Sequence, residues 1–166
     1  MTIRTATMKD LDQIAGVEQI CFPPEEAAKR ETFRERLWYY ANHFLLMLDG
    51  ERLISFVDGL VTNEPDLTDE MMADARMHDE QGKWQMIFGV NTLPEFRRKG
   101  YASSLLREVI ERARTEGRRG LVLTCKDAKV PFYARLGFTD EGRTDKSSHG
   151  GAVWHQMRLT FESAAI

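Results

Sequence analysis

The sequence of 166 residues has little cysteine and no long apolar run. Its two cysteines, Cys21 and Cys125, are too few and too far apart for a disulfide framework or a structural zinc site. No apolar stretch approaches the roughly 18 residues that a membrane-spanning helix needs, and the N-terminal MTIRTATMKD has no signal-peptide core. We therefore expect a cytoplasmic protein that does not interact with membranes.

A strong charge of one sign is also absent, because 23 basic residues stand against 26 acidic ones and the formal net charge is -3. Such a balance gives no general attraction to nucleic acid, so we expect no nucleic-acid partner. Hydrophobic residues make up 42% of the chain and charged residues 30%, as in ordinary globular proteins. A chain of this length can bury one full core, and we expect a single domain over residues 1–166.

The apolar pattern predicts strands spread through the chain and separated by helices. Asp49 and Gly50 join two apolar runs and suit a tight hairpin turn, and Thr68 is a plausible helix cap in the polar segment 62–83. Segments 25–42 and 101–116 are predicted as helices, and segments 84–92 and 151–161 as strands. The order predicts a mixed α/β fold with one mixed, mostly antiparallel sheet and helices on both faces.

The most informative segment is RRKGYAS at residues 97–103, between a predicted buried strand and an amphipathic helix. N–H groups at the start of a helix lack main-chain acceptors and the helix dipole adds positive charge, so a phosphate binds well there. Gly100 allows close approach of a ligand, and Arg97 and Arg98 add charge. Taken alone, a turn of this kind is more often a solvated basic loop.

The turn resembles the Arg/Gln-x-x-Gly-x-Gly/Ala signature of the GNAT acetyltransferases, with Arg97, Gly100 and Ala102 at its defined positions. The resemblance extends to VPFYARLGF and to the N-terminal IRTATMKDLDQI. Within this superfamily the chain looks most like the arylalkylamine (serotonin) N-acetyltransferases, on the segments CKDAKVPFYARLGF, CFPPEEAA and the excursion beginning LTDE. The resemblance implies a GNAT-like sheet in which the family's fourth and fifth strands splay apart.

The resemblance also implies acetyl-CoA as co-substrate and a primary amine as acceptor. The pyrophosphate would lie on the turn, and the pantetheine arm would pair with the splayed strand. By this likeness the cofactor-binding residues are Val90, Asn91, Thr92, Arg97, Arg98, Lys99, Gly100, Tyr101, Ala102 and Ser103. Tyr133 lies where family members place a hydroxyl beside the thioester sulfur, so it would protonate the departing thiolate. An aromatic residue in such a segment, taken alone, is more often part of the core.

The proton acceptor is the point at which the sequence departs from the subgroup. Vertebrate members carry two histidines on the fourth strand, and Met86 and Phe88 occupy those positions here. Another group must then deprotonate the amine, because its unperturbed pKa is about 10. We expect His78 in this role because its unperturbed pKa is near neutrality, although an exposed histidine without a role is the alternative. The further candidates are Glu25, Glu26, Glu64 and Asp66.

The acceptor pocket is expected to be apolar and lined by Phe22, Pro23, Pro24 and Phe88, although the prolines equally suit a stiff connector. Lys126 stands where many GNAT members carry asparagine, which puts one pantetheine contact in doubt. Histidine spacing indicates no metal site.

The predicted activity is acetylation of a small aryl- or alkylamine by a monomer or homodimer. The alternatives are acetylation of a peptide or protein amino group, and a non-catalytic CoA-binding sensor. An open acidic groove would favour a protein acceptor, whereas a closed pocket under Phe22 and the LTDE excursion would favour a small amine.

Overall fold

The computed structural model describes residues 1–162, and no helix in that range is long and apolar enough to cross a membrane. The strands of the described range are β1 (Thr2–Thr5), β2 (Phe44–Asp49), β3 (Arg52–Asp58), β4 (Val61–Thr62), β5 (Trp84–Ile87), β6 (Gly89–Thr92), β7 (Gly120–Cys125), β8 (Thr139–Arg143) and β9 (His155–Thr160). Its α-helices are α1 (Leu11–Cys21), α2 (Arg30–Tyr40), α3 (Asp69–Ala73), α4 (Tyr101–Thr115) and α5 (Val130–Arg135).

The strands form two sheets that share one stretch of chain. In the first sheet β1, β2, β3 and β6 are neighbours in that order, and every pair is antiparallel. In the second, the order is β4, β5, β7, β9, β8, and β5 and β7 run parallel. α1 packs against β3 and β6, whereas α4 packs against β2, β3 and β7. The predicted mixed α/β fold, with mostly antiparallel pairing and helices on both faces, is confirmed.

The predicted continuous strand over residues 84–92 is interrupted at Phe88. The Phe88 N–H donates to the Asp58 carbonyl (2.8 Å), so one edge of the chain stays paired here, whereas the pairing of the other edge with β7 ends at Ile87. The chain therefore passes from the second sheet to the first at Phe88.

Two other predicted boundaries are wrong. Helix α2 begins at Arg30 rather than at residue 25, because the Pro23 carbonyl accepts the N–H groups of Glu26 and Ala27 in a separate turn. The last strand begins at residue 155 rather than 151, because Gly150 and Gly151 have positive φ angles (66° and 72°) that a strand does not accommodate.

The hairpin and the short helix are confirmed. Gly50 takes a positive φ (61°) between β2 and β3, as a tight turn requires. Thr68 caps α3 by accepting the Met71 N–H (3.4 Å).

The core is centred on aromatic rings that join α2 to the first sheet. Phe33 on α2 is fully buried, and its ring meets those of Phe44 and Phe56 edge-on at centroid distances of 6.2 and 5.9 Å. Edge-on pairs add to the stabilisation that burial alone gives. This contact holds α2 against β2 and β3.

We expect Phe33→Ala to lower the free energy of unfolding by about 3–5 kcal/mol, because it removes a large buried side chain and leaves a cavity. Trp38→Ala on the same helix is the control, because Trp38 is 78% exposed and its loss should cost no more than about 0.5 kcal/mol. Urea denaturation of both variants measures the difference. Equal losses would contradict the assigned core.

Candidate functional site

A gap opens between β6 and β7 where the two sheets separate. The parallel pairing of β5 with β7 ends at Ile87 and Leu123. Beyond that point Gly89 pairs with Asp58 of β3, and Thr124 pairs with Gln156 of β9. Within residues 1–162 the facing edges of β6 and β7 are therefore unpaired, and a cavity of about 540 Å³ lies along them.

The turn that precedes α4 lies beside this gap. Arg98 and Gly100 both take positive φ angles (61° and 83°), and α4 makes its first main-chain bond from the Ser104 N–H to the Gly100 carbonyl (3.0 Å). The N–H groups of residues 101–103 therefore have no acceptor within the helix. A Cβ at Gly100 would meet no atom within 4 Å, so the backbone is open to a ligand there. This is an anion-binding arrangement.

The turn is tied to the cavity through the end of β6. The Thr92 carbonyl accepts the Arg97 Nε–H (2.9 Å) and the Cys21 thiol (3.3 Å). Cys21 and Val90 are both on the cavity wall, and the Asn91 side chain is buried beneath the strand. Turn, strand edge and cavity are thus contiguous. Of the predicted cofactor-binding residues, only Arg97, Arg98, Lys99 and Gly100 are largely exposed.

Tyr133 lies on the cavity wall, on α5. It is 8% exposed, and its ring packs edge-on against Phe132 and Phe138. No group within residues 1–162 hydrogen-bonds to its hydroxyl. Burial raises the pKa of the phenol, with the nearby Cys125 adding to the effect. Tyr133 is therefore protonated at neutral pH and can donate a proton into the cavity.

Three of the four residues predicted for the acceptor pocket line the cavity. These are Phe22, Pro23 and Phe88, whereas Pro24 is exposed and outside the lining. Met72 and Trp154, which the sequence analysis missed, complete the apolar wall.

Segments from distant parts of the chain are joined at the cavity wall. Lys126 bridges to the Glu26 carboxylate (2.8 Å), and His149 Nε2 bonds to the Glu26 carbonyl (2.5 Å). Asp69 accepts hydrogen bonds from the Ser147 hydroxyl (3.0 Å) and the Ser148 N–H (2.9 Å). The segment 22–29, the LTDE excursion and the loop 144–154 therefore meet at the cavity wall.

The candidate bases are dispersed. His78, Glu25, Glu64 and Asp66 are not on the cavity wall, and only Glu26 is. Asp66 instead forms ion pairs with Lys146 (2.5 Å) and Arg158 (2.7 Å).

His78 belongs to a hydrogen-bond network around Glu80. Its Nδ1 accepts the Val61 N–H (3.0 Å), so a neutral His78 carries its proton on Nε2 and donates it to Glu80 (3.0 Å). His43 and Arg118 also donate to this carboxylate, at 2.8 and 3.0 Å. Burial opposes ionisation of Glu80, but the hydrogen bonds from its neighbours lower its pKa to about 2. The network fixes the excursion to the second sheet.

Three side chains of this network, those of His43, His78 and Glu80, are spaced as the ligands of one metal ion could be. Ligand atoms of His43, His78 and Glu80 lie within 4.8 Å of one another. If Nε2 of His78 bound a metal, the other ring nitrogen, Nδ1, would have to carry the proton. Nδ1 instead accepts the Val61 N–H. Arg118 adds positive charge at the carboxylate. The arrangement favours hydrogen bonding over metal binding.

Sequence analysis missed a buried charged cluster beside the gap. Glu18 of α1 lines the cavity, and Arg36 of α2 pairs with Asp58 of β3 (3.0 Å), with all three side chains buried. Burial raises the pKa of Glu18 to about 7. The sequence does carry a signal, because Glu18 continues the stripe of Leu11 and Ile14, so a charged residue occupies a core-facing helical position.

Comparison with known proteins gives the chain's relationship. Its residues 11–138 match the acetyltransferase (GNAT) family. Its fold is similar to that of the GNAT-like decarboxylase GphF in complex with isobutyryl-CoA, with a TM-score of 0.83, 19% identity and coverage of 96% of this chain and 99% of that one.

Two further structures share the fold. The loading GNATL domain of CurA from Lyngbya majuscula has a TM-score of 0.82 and 15% identity, with 96% of each chain covered. The ribosomal-protein-S18-alanine N-acetyltransferase from Escherichia coli has a TM-score of 0.71 and 17% identity, with 99% of this chain and 96% of that one covered. These identities are low enough that the similarity concerns the fold alone.

The family match spans most of the chain and includes both the turn at residues 97–103 and Tyr133. The chain therefore belongs to the acetyltransferase (GNAT) family and is an acetyl-CoA-dependent N-acetyltransferase.

Proposed function

We propose that this enzyme acetylates the primary amino group of a small aryl- or alkylamine. The observation that carries the proposal is the joining of distant segments at the cavity wall, where Glu26 is held by both Lys126 and His149. A peptide or protein acceptor would need an open groove to reach the same point. The apolar walls supplied by Phe22 and Trp154 suit the hydrocarbon part of an amine.

Acetyl-CoA fits the gap between the sheets. The N–H groups at the start of α4 can donate hydrogen bonds to the pyrophosphate, and Arg97, Arg98 and Lys99 add positive charge beside it. The free edge of β6, from Val90 to Thr92, offers main-chain groups to the amides of the pantetheine arm. When bound there, acetyl-CoA supplies the thioester carbon that the amine attacks.

Tyr133 acts as the general acid in this proposal. Attack by the amine forms the C–N bond and breaks the C–S bond, and the sulfur that leaves needs a proton. Tyr133 holds one, because burial keeps its phenol protonated at neutral pH. Lys126, at the asparagine position of many relatives, serves the acceptor end instead, through its ion pair with Glu26.

Purified enzyme should release free thiol from acetyl-CoA with aryl- and alkylamines. Tyr133→Phe should lower kcat by about 100-fold with little change in the KM for acetyl-CoA, because only the proton donor is lost. Thermal stability should be nearly unchanged, because the hydroxyl has no protein partner among residues 1–162.

A panel of peptides with free N-termini and lysine side chains is the control for the acceptor class. Turnover of peptides but of no small amine would overturn the small-molecule proposal, and a Tyr133→Phe variant with wild-type kcat would overturn the role of Tyr133.

Gly100→Ala should raise the Kd for acetyl-CoA about tenfold. Gly100 has a φ of 83°, where an L side chain costs about 1–2 kcal/mol, and its open side is the side that the phosphate would approach. Gly117→Ala is the matched control, because Gly117 has a φ of 80° and equal open space beyond the other end of α4. Calorimetry should show weaker binding for Gly100→Ala only. Equal effects of both variants would contradict the assigned phosphate site.

A further inference from the structure

We propose that Glu18 is the proton acceptor for the amine, a role that rests on the proposed amine acetylation. Glu18 is 6% exposed and reaches the cavity from α1. One carboxylate oxygen, Oε2, is fixed by the Ala28 N–H (2.9 Å). The other, Oε1, is buried without a hydrogen-bond partner among the described residues.

Oε1 lies beside Gly89, close to the point at which the chain separates from β7. A Cβ built on Gly89 would be 3.6 Å from Glu18 Oε1 and 3.0 Å from Asp58 Oδ1. The absence of a side chain at Gly89 therefore leaves the carboxylate close to the main chain of β6, where the gap begins. Phe88 and Val90, the neighbours of Gly89, both line the cavity.

Several other polar atoms at this place also lack protein partners. Asp58 Oδ1, Arg36 Nε and both polar side-chain atoms of Asn91 are buried without hydrogen bonds within residues 1–162. Buried polar atoms in folded proteins nearly always find partners, including water and ligands. Their concentration around Gly89 indicates a place built to receive a polar group of a ligand or a proton-carrying water.

The other carboxylates on the cavity wall are already engaged. Glu26 is paired with Lys126, and Asp69 accepts hydrogen bonds from Ser147 and Ser148. Glu18 is thus the lining carboxylate that keeps one oxygen free among the described residues.

The charges around Glu18 poise it for proton transfer at neutral pH. Burial raises its pKa to about 7, and the negative charge of Asp58 raises it as well. The Ala28 N–H and the Arg36 guanidinium oppose this effect, as does the nearby Asn91 amide, which lies outside hydrogen-bond geometry. Cys21, one turn along α1, is protonated because burial raises its own pKa. A base with a pKa close to the working pH is the most effective one.

The proton balance of the reaction closes with this assignment. The ammonium group of the acceptor gives one proton to the Glu18 carboxylate, and the free amine then forms the C–N bond. The sulfur that leaves takes the Tyr133 phenolic proton, and the new amide nitrogen returns its surplus proton to the Tyr133 oxygen. Glu18 releases its proton to solvent, so each turnover yields one free thiol and one proton.

The test is the pH profile of kcat/KM for an amine. Because Glu18 must be ionised to accept a proton, wild-type activity should rise as pH increases through about 7. Glu18→Gln should lower kcat by about 100-fold and remove this rise. Glu25→Gln is the matched control, since it replaces an exposed carboxylate outside the cavity wall by a carboxamide and should keep the rise.

Binding of acetyl-CoA to Glu18→Gln, measured by calorimetry, reports whether the variant is folded. If it is not, Glu18→Asp replaces it, because a carboxylate set back by one carbon should retain the pH-dependent rise at a reduced kcat. A Glu18→Gln enzyme with the wild-type rate and profile overturns the role of Glu18 while wild-type turnover upholds the proposed function. A Glu18→Asp enzyme without the rise also overturns it. A wild-type enzyme that acetylates no amine overturns both.

Discussion

The chain over residues 84–92 stays paired with β4 and then β3 along one edge but loses β7 from its other edge after Ile87, and the site depends on that loss. The first half pairs with β7 and the second with β3, so the sheets part at Phe88. Two strand edges are left facing each other across a gap. Free strand edges bind extended chains through their main-chain groups, and the two amides of a pantetheine arm have that chemistry.

The same point of divergence gathers the groups that carry charge and protons. Burying ionised groups is costly unless they are paired, and the Arg36–Asp58 pair stands in the core next to the gap. Glu18 is held beside this pair on the cavity side of α1, and Tyr133 faces the cavity from α5. Tyr133, whose pKa is raised, and Glu18, whose pKa is near neutrality, thus line the same cavity.

Local signals in the sequence predicted the features that are themselves local. The hairpin at Gly50, the cap at Thr68 and the basic turn before α4 each depend on a few neighbouring residues. The interruption at Phe88 was missed because it depends on where the pairing with β7, which is distant in sequence, comes to an end. The position of His78 was equally unpredictable, because the network around Glu80 draws on Asn42, His43 and Arg118 from other elements. Glu18 could have been found as a charge on the apolar stripe of α1.

The central claim is that the gap opened at Phe88 is the place where acetyl-CoA binds. Residue-resolved amide hydrogen exchange, with and without acetyl-CoA, tests it most directly. Amides of β6 should gain more protection than those of β1 and β2, which report the general stabilisation that any bound ligand gives. Uniform protection across both sheets, with no additional slowing in β6 or at the start of α4, would contradict the account.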